Sequence, residues 1–194
     1  IAAILVHTAP PGGKKSISMV DAMQLGYGQG FYTDGETDLS LLMGLPYAAL
    51  DGINEDGFAI GVLALKENQT QQNTGKPRIG TTTAIRMLLD RASTVKEAVA
   101  MLKNYDMNMK GAGNSNYHYF MADATGDYAI VEYTLKRGEK IPTVMEKLTG
   151  NDTLRCVTNF YVSPTMVGTN DGWGSNHGTV SYTHLRAHET ELHL

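Results

Sequence analysis

The sequence predicts an α+β fold built on a mostly antiparallel sheet. Three observations support this prediction. Strand-like segments lie before and after one helical region, the strands come in pairs joined by turn-forming residues, and the helical region has apolar residues at three- and four-residue spacing. The sequence contains no internal repeat, which excludes repeat architectures.

The first two predicted strands form an antiparallel hairpin. Residues 1–8 are largely apolar, residues 10–13 are a Pro-Pro-Gly-Gly turn, and residues 16–20 form the second strand. Residues 26–46 contain five glycines that interrupt every periodicity, and only residues 39–43 can form a helical turn. We therefore interpret this stretch as a surface connection.

The middle of the chain predicts a strand followed by two helices. Residues 51–57 are rich in turn formers and lead into the apolar run 58–65, which is typical of a strand buried on both faces. Residues 81–92 have the apolar spacing of an amphipathic helix. Thr94, with Glu97 three residues later, predicts the N-cap of a second helix. We expect the two helices to pack side by side.

Loops and a second hairpin complete the predicted elements. Residues 66–80 and 105–116 are polar and predict loops. Residues 117–123 and 128–135 alternate in strand fashion around an Asp-Ala-Thr-Gly-Asp turn, which is the clearest hairpin signal in the chain. Residues 154–158 predict one further short strand.

Composition restricts the class of protein. The 194 residues are 42% apolar and 19% charged, which is typical of one globular domain and excludes a disordered chain. A net charge of −4 without long runs of either sign offers no surface for a nucleic-acid backbone. The longest apolar run, residues 58–65, is far shorter than the roughly 18 residues of a membrane-spanning helix. We predict a soluble protein without nucleic-acid or membrane partners, and we expect it in the cytoplasm.

Three histidines within residues 184–194 are the most obvious candidate metal ligands. His184 and His188 have the spacing that places two imidazoles on one helical face, and His193 lies nearby. Residues 180–190, however, resemble the translation of a transposase adapter used in DNA sequencing. Residues 191–194 would then be the translation of the DNA that follows the adapter. We therefore predict no metal site and assign residues 180–194 to a non-native tail.

The other histidines and the cysteine form no recognisable catalytic group. His7 and His118 lie in strand patterns that favour hydrogen-bonded structural histidines, and His177 lies in a loop. Cys156, the only cysteine, lies mid-strand, away from any helix N-terminus that would activate its thiol, so we predict a buried, unreactive side chain. Gly-x-Ser-x-Gly, Walker and His-Glu-x-x-His motifs are absent. The residues alone indicate a globular α+β domain.

Three segments, in this order, carry a resemblance to a known family. They are residues 51–61 (DGINEDGFAIG), 117–133 (YHYFMADATGDYAIVEY) and 156–160 (CVTNF). Together they resemble the linear amide hydrolases of the choloylglycine hydrolase and penicillin V acylase group. This group is similar to N-acylethanolamine amidases and to acyltransferases of the N-terminal nucleophile class. The resemblance extends over about residues 1–178.

The resemblance implies a four-layer αββα sandwich with mostly antiparallel sheets, incomplete in this chain. It also implies that an N-terminal cysteine attacks the carbonyl of a small-molecule N-acyl amide, with its own α-amino group as general base. An α-amine titrates near pH 8, so it can accept the thiol proton without a histidine. No metal or organic cofactor is implied, and family members are often homo-oligomers.

Two asparagines are the candidate site residues that the resemblance supplies. Asn159 matches the family asparagine that holds the substrate carbonyl or oxyanion, and the loss of one such donor typically costs about 2.7–4 kcal/mol of barrier. The alternative for Asn159 is a turn asparagine that ends a strand. Asn54 matches the family's turn asparagine near the site, and we predict that it caps the following strand rather than acts in catalysis. Ala64 stands about where bile-salt hydrolases have a second oxyanion asparagine, which argues against bile-salt specificity.

The nucleophile that the family uses is absent from this sequence. Ile1 resembles a position some tens of residues inside the family domain, and the cysteine, arginine and aspartate expected before it do not occur. We therefore expect residues 1–179 to be a partial domain that is inactive by itself. We also expect exposed apolar sheet edges and poor solubility.

Three functions remain open from the sequence. The leading one is a linear amide hydrolase that acts on bile-salt conjugates, N-acyl amino acids or lactones, or penicillin V. An acyltransferase on the same fold requires only that an amine outcompetes water for the acyl-enzyme. A catalytically silent domain that binds acyl ligands is the third, and it is consistent with the missing nucleophile.

Overall fold

The computed structural model describes residues 3–21, 39–65, 69–109, 116–149, 157 and 159–166. Within these ranges the strands are β1 (Ala3–Thr8), β2 (Ser16–Asp21), β3 (Ala49–Asn54), β4 (Ala59–Leu65), β5 (Arg78–Ile79), β6 (Asp106–Met107), β7 (Asn116–Ala122), β8 (Tyr128–Thr134) and β9 (Val144–Leu148). The helices are α1 (Thr81–Arg91) and α2 (Val95–Leu102). Two 3-10 helices cover Leu39–Tyr47 and Pro164–Met166.

Seven of the strands form one antiparallel sheet. Its order is β1-β2-β3-β4-β7-β8-β9, and β5 and β6 form a separate parallel pair. The chain enters the sheet through the predicted first hairpin, β1 and β2, and the predicted second hairpin is β7 and β8. The predicted α+β class with a mostly antiparallel sheet is confirmed.

Both helices pack on the same face of this sheet. The apolar stripe of α1, which includes Ile85 and Leu89, is fully buried against the sheet. The hydroxyl oxygen of Thr94 accepts a hydrogen bond from the Glu97 amide at 3.2 Å, so the predicted N-cap of α2 is confirmed. Tyr119 from β7 is buried beneath the helices, and its hydroxyl reaches the carbonyl oxygen of Thr81 at 3.4 Å.

Two predictions for residues 51–65 are wrong. One concerns where the turn lies, and the other concerns the burial of the strand that follows it. The first residues of the segment 51–57 belong to β3, which ends at Asn54. A tight turn that includes Gly57, with φ +81°, separates β3 from β4. In addition, β4 is half-buried along most of its length rather than buried on both faces. The reason is that α1 and α2 cover only one face of the sheet.

Several elements lie where the sequence predicts only loops. The short strands β5 and β6 fall within residues 66–80 and 105–116, and the 3-10 helix Leu39–Tyr47 is longer than the predicted single turn. Strand β9 was not predicted at all. Two-residue strands have no periodicity to detect, and β9 mixes charged with apolar residues at the edge of the sheet.

The face of the sheet opposite the helices exposes apolar side chains. Leu5, Ile17 and Ile53 are 69%, 42% and 49% exposed to solvent. The described residues therefore form two layers, a sheet and a helical layer. The exposed apolar side chains include Leu5 on the edge strand β1 and Val144 on the edge strand β9, together with Ile17 and Ile53 further inside the sheet.

Some of the predicted features lie outside the described residues. They include most of the strand predicted at 154–158, the thiol of Cys156, the loop histidine His177 and the tail 180–194. Within the described ranges, no helix is long and apolar enough to cross a membrane.

The contact between β3 and α1 leads to the first prediction. A Cβ atom at Gly52 would lie 2.7 Å from Cδ1 of Leu89 and 2.8 Å from the carbonyl oxygen of Ile17, whereas a Cβ at Gly61 would meet only Cβ of Asp51 at 3.5 Å. We expect Gly52→Ala to lower the free energy of unfolding by about 1–3 kcal/mol through overpacking. Gly61→Ala, on the open face, should change it by less than about 0.5 kcal/mol.

Urea denaturation followed by circular dichroism measures both changes. Equal destabilisation by the two substitutions would contradict the one-sided packing of the sheet.

Candidate functional site

The candidate oxyanion residue lies on a short segment that packs on the open face of the sheet. We call residues 159–166 the Asn159 segment. Within it, Tyr161 and Met166 are buried against Leu65 at the end of β4, and Leu135 packs against the same cluster. This apolar contact covers the part of the open face that lies beside the end of β4.

The side chain of Asn159 contacts the backbone of Ala64 directly. Nδ2 of Asn159 donates a hydrogen bond to the carbonyl oxygen of Ala64 at 2.9 Å. Because a carbonyl oxygen only accepts, the amide nitrogen and not the amide oxygen must face Ala64, and the orientation of the side chain is defined. Nδ2 has a second N–H, which is therefore directed away from Ala64. The two positions that the resemblance singled out separately are thus adjacent.

The carbonyl of Ala64 is available because the pairing of β3 with β4 stops before Ala64. The carbonyl of Phe58 faces β3, where it accepts from the Asn54 amide at 3.0 Å, and alternate carbonyls of β4 point the same way, including that of Ala64. Yet β3 pairs with β4 only between Asp51–Ile53 and Ala59–Gly61. Asn159 therefore hydrogen-bonds to the edge of β4 beyond the end of its pairing with β3.

The second candidate, Asn54, is buried between the sheet and the helices. Its Nδ2 donates to the carbonyl oxygens of Leu89 at 3.0 Å and Ala92 at 2.7 Å. Its Oδ1 accepts from the amides of Asp56 and Phe58, both at 3.1 Å. The side chain thereby fixes the turn between β3 and β4 and satisfies carbonyls at the end of α1.

The structure does not bring the two asparagines together. Asn54 contacts the residue that precedes β4, and Asn159 contacts a residue near its other end. Six residues of extended chain separate Phe58 from Ala64, which is roughly 20 Å at 3.3 Å per residue. The placement of the Asn54 turn near the site stays a prediction, and within the described residues the turn and Asn159 contact opposite ends of β4.

A buried glutamate, Glu132, is a feature that the sequence reasoning missed. Its side chain and that of His118 are both fully buried, and Nδ1 of His118 lies 2.9 Å from Oε1 of Glu132. His118 is thus a buried, hydrogen-bonded histidine, as predicted from its strand pattern. His7, in contrast, is exposed on β1. The signal for Glu132 was present as one acidic residue in the apolar strand YAIVEYT.

A groove of about 390 Å³ lies elsewhere on the open face. Leu5, Ile17, Ile53 and Phe120 line it, together with the carboxyl group of Asp51. Burial raises the pKa of Asp51, although a hydrogen bond from the Met19 backbone acts in the opposite direction. The groove is therefore apolar with one acidic group.

No metal-binding cluster of histidine, cysteine or acidic residues occurs in the part of the chain that the structure describes. His184, His188 and His193 lie outside that part.

A comparison with family models identifies one match. The model of the acyl-coenzyme A:6-aminopenicillanic acid acyl-transferase family matches residues 40–186. This range contains the contact between Asn159 and Ala64 as well as the turn at Asn54.

Similarity to known proteins is consistent with this match. Penicillin V acylase from Pectobacterium atrosepticum is 33% identical over 92 residues, which cover 43% of this chain and 24% of that protein. A crystal structure of a variant of conjugated bile acid hydrolase from Clostridium perfringens has a TM-score of 0.50 at 18% identity, and the match covers 77% of this chain and 43% of that one. This second likeness shows a shared fold.

A third match is to the structure of penicillin V acylase from Agrobacterium tumefaciens, with a TM-score of 0.44 and 24% identity over 69% of this chain and 33% of that one. The chain spans about a quarter of the length of the curated relative and less than half of each of these solved structures.

The four hydrogen bonds of Asn54 lead to the second prediction. Asn54→Ala leaves buried carbonyls and amides without partners, so we expect the free energy of unfolding to fall by about 2–4 kcal/mol. The matched control is Asn104→Ala, because Asn104 is exposed after α2, and it should change stability by less than about 0.5 kcal/mol. Urea denaturation of both variants measures the difference. A loss below about 1 kcal/mol for Asn54→Ala would contradict the structural role.

Proposed function

The chain belongs to the acyl-coenzyme A:6-aminopenicillanic acid acyl-transferase family, and on that premise we propose that the whole protein hydrolyses the linear amide bond of small N-acyl amides. Its relatives include penicillin V acylase and conjugated bile acid hydrolase, which are amidohydrolases. The observation that carries the proposal within this chain is the oriented amide of Asn159 at the edge of β4.

Asn159 would donate its second N–H to the substrate carbonyl oxygen. During attack on an amide this oxygen gains negative charge, and a donor that is already oriented stabilises that charge without reorganising. The bond from Nδ2 to the Ala64 carbonyl supplies that orientation. A neutral amide donor also avoids the competing proton transfer that a cationic side chain would allow.

The nucleophile of the proposed reaction is an N-terminal cysteine that lies outside these 194 residues. Its sulfur attacks the carbonyl carbon while its own α-amino group accepts the thiol proton. The C–N bond then breaks, and the proton passes to the leaving amine. Water hydrolyses the thioester to the carboxylic acid and restores the thiol. We therefore expect the 194-residue chain alone to release no amine.

Asn54 has a structural role in this proposal. Its amide group is occupied by two carbonyls and two backbone amides within the β3–β4 turn and the end of α1. Catalysis would depend on it only through the stability of the sheet.

We propose penicillin V, which the name of one relative specifies, together with N-acyl amino acids and N-acyl homoserine lactones as the substrates. Conjugated bile acids are less favoured. The reason is that Ala64, at the position of the second asparagine in bile-salt hydrolases, has no side-chain amide to offer.

Acyl transfer is the second candidate function, and the family's description favours it. The same acyl-enzyme would then react with an amine instead of water. Addition of 6-aminopenicillanic acid to the assay distinguishes the two functions, because a transferase forms a new amide whereas a hydrolase forms only the free acid.

The third prediction concerns turnover by the whole protein. Amine release is measured with penicillin V, an N-acyl amino acid, an N-acyl homoserine lactone and a glycine-conjugated bile acid. We expect Asn159→Ala to lower kcat by about 10²–10³-fold with a smaller effect on KM, because the donor acts mainly in the transition state. Asn104→Ala is the matched control and should retain full activity.

Two outcomes would contradict parts of the proposal. If no panel member is hydrolysed by the folded whole protein, the amide hydrolase function is wrong. If hydrolysis occurs and Asn159→Ala leaves kcat unchanged, the function stands and the role of Asn159 is wrong.

A further inference from the structure

The Glu132 carboxylate is buried in an unusual chemical setting. The strand that carries it is otherwise mostly apolar, and the carboxylate and the His118 imidazole are both fully buried. A buried carboxylate is costly unless hydrogen bonds satisfy its oxygens. The contacts that provide this compensation therefore indicate what the residue does.

Two of these contacts are to the backbone of the Asn159 segment. Oε1 of Glu132 accepts from the Val162 amide and Oε2 accepts from the Ser163 amide, both at 2.8 Å. Bonds from backbone amides to an ionised carboxylate are among the stronger hydrogen bonds in proteins. One side chain thus holds two consecutive residues of the segment, through both of its oxygens.

Other polar contacts hold the same segment from neighbouring strands. Nδ2 of Asn116 donates to the Tyr161 hydroxyl at 2.7 Å, and the Ser163 hydroxyl donates to Glu146. These are contacts to side chains. Glu132, in contrast, binds two consecutive main-chain amides of the segment, so it constrains the path of the backbone that follows Asn159.

We propose that Glu132 is a positioning residue for Asn159. By fixing the backbone at Val162 and Ser163, three and four residues after Asn159, it holds the Asn159 amide against the Ala64 carbonyl with its second N–H directed towards the substrate. This inference rests on the proposed function, because it requires Asn159 to act on the substrate carbonyl.

His118 orients the carboxylate. Nδ1 of the imidazole lies 2.9 Å from Oε1 of Glu132, the same oxygen that accepts from the Val162 amide. Nε2 of His118 is buried and has no hydrogen-bond partner within the described part of the chain. The imidazole therefore interacts with this network through Nδ1.

The test compares two isosteric substitutions in the whole protein. Glu132→Gln places an amide NH2 against a backbone N–H and breaks one of the two bonds to the segment. We expect kcat for penicillin V, or for the panel amide hydrolysed fastest, to fall about 10–100-fold with KM little changed.

The matched control is Asp106→Asn. Asp106 is also buried and accepts from the backbone amides of Thr74, Gly75 and Lys76, at 2.7, 3.1 and 3.2 Å, but it lies outside the Asn159 segment. Its substitution should lower the melting temperature and leave kcat of the folded protein unchanged. If both substitutions lower kcat equally, Glu132 has only a structural role and the inference is wrong.

A double mutant separates this inference from the proposed function. If Glu132 acts through Asn159, Glu132→Gln should have no further effect on kcat in the Asn159→Ala background. Multiplicative effects would overturn the inference and leave the proposed function intact. An Asn159→Ala variant with unchanged kcat would overturn the inference together with the proposed role of Asn159, because Glu132 would then have no catalytic residue to position, and it would leave the amide hydrolase function intact.

Hydrogen exchange of the unchanged protein tests the inference even if Glu132→Gln does not fold. The amides of Val162 and Ser163 should exchange as slowly as those of the neighbouring strand β8. Exchange of both at the rate of a free loop would overturn the inference.

Discussion

The helices cover only one face of the seven-stranded sheet, and the positions of the candidate residues follow from this constraint. On the covered face, apolar side chains exclude water, and Asn54 supplies the polar contacts that a turn and a helix end require there. On the open face, the Asn159 segment packs on the end of β4 and binds side chains of β7, β8 and β9. The candidate site is therefore located where the pairing of β3 stops and the edge of β4 becomes accessible to a side chain.

Buried polar groups determine how that segment is held. An apolar contact such as that of Met166 with Leu65 holds a segment in place without fixing its direction, whereas hydrogen bonds do both. The carboxylate of Glu132 provides directional bonds in the interior, where they are stronger than in water and costly to break. In the reaction that we propose, this fixed segment presents the Asn159 amide to the substrate without reorganising, which is the condition for electrostatic stabilisation of an oxyanion.

The sequence predicted the fold more completely than the site. Both hairpins and both helices could be predicted because their residues repeat with the period of the structure they form. β5 and β6 could not, since two residues have no period, and β9 could not because it is an edge strand with charged residues. Asn159 was identified by resemblance, but its bond to Ala64 joins residues 95 positions apart. The role of Glu132 likewise depends on contacts that only the folded chain brings together.

The most direct test of the account is a crystal structure of the whole protein with its nucleophile changed to alanine and penicillin V bound. The account predicts that Nδ2 of Asn159 lies about 2.7–3.1 Å from the carbonyl oxygen of the scissile amide and still donates to the Ala64 carbonyl. A carbonyl oxygen held by other groups, with Asn159 bound only to backbone, would contradict it.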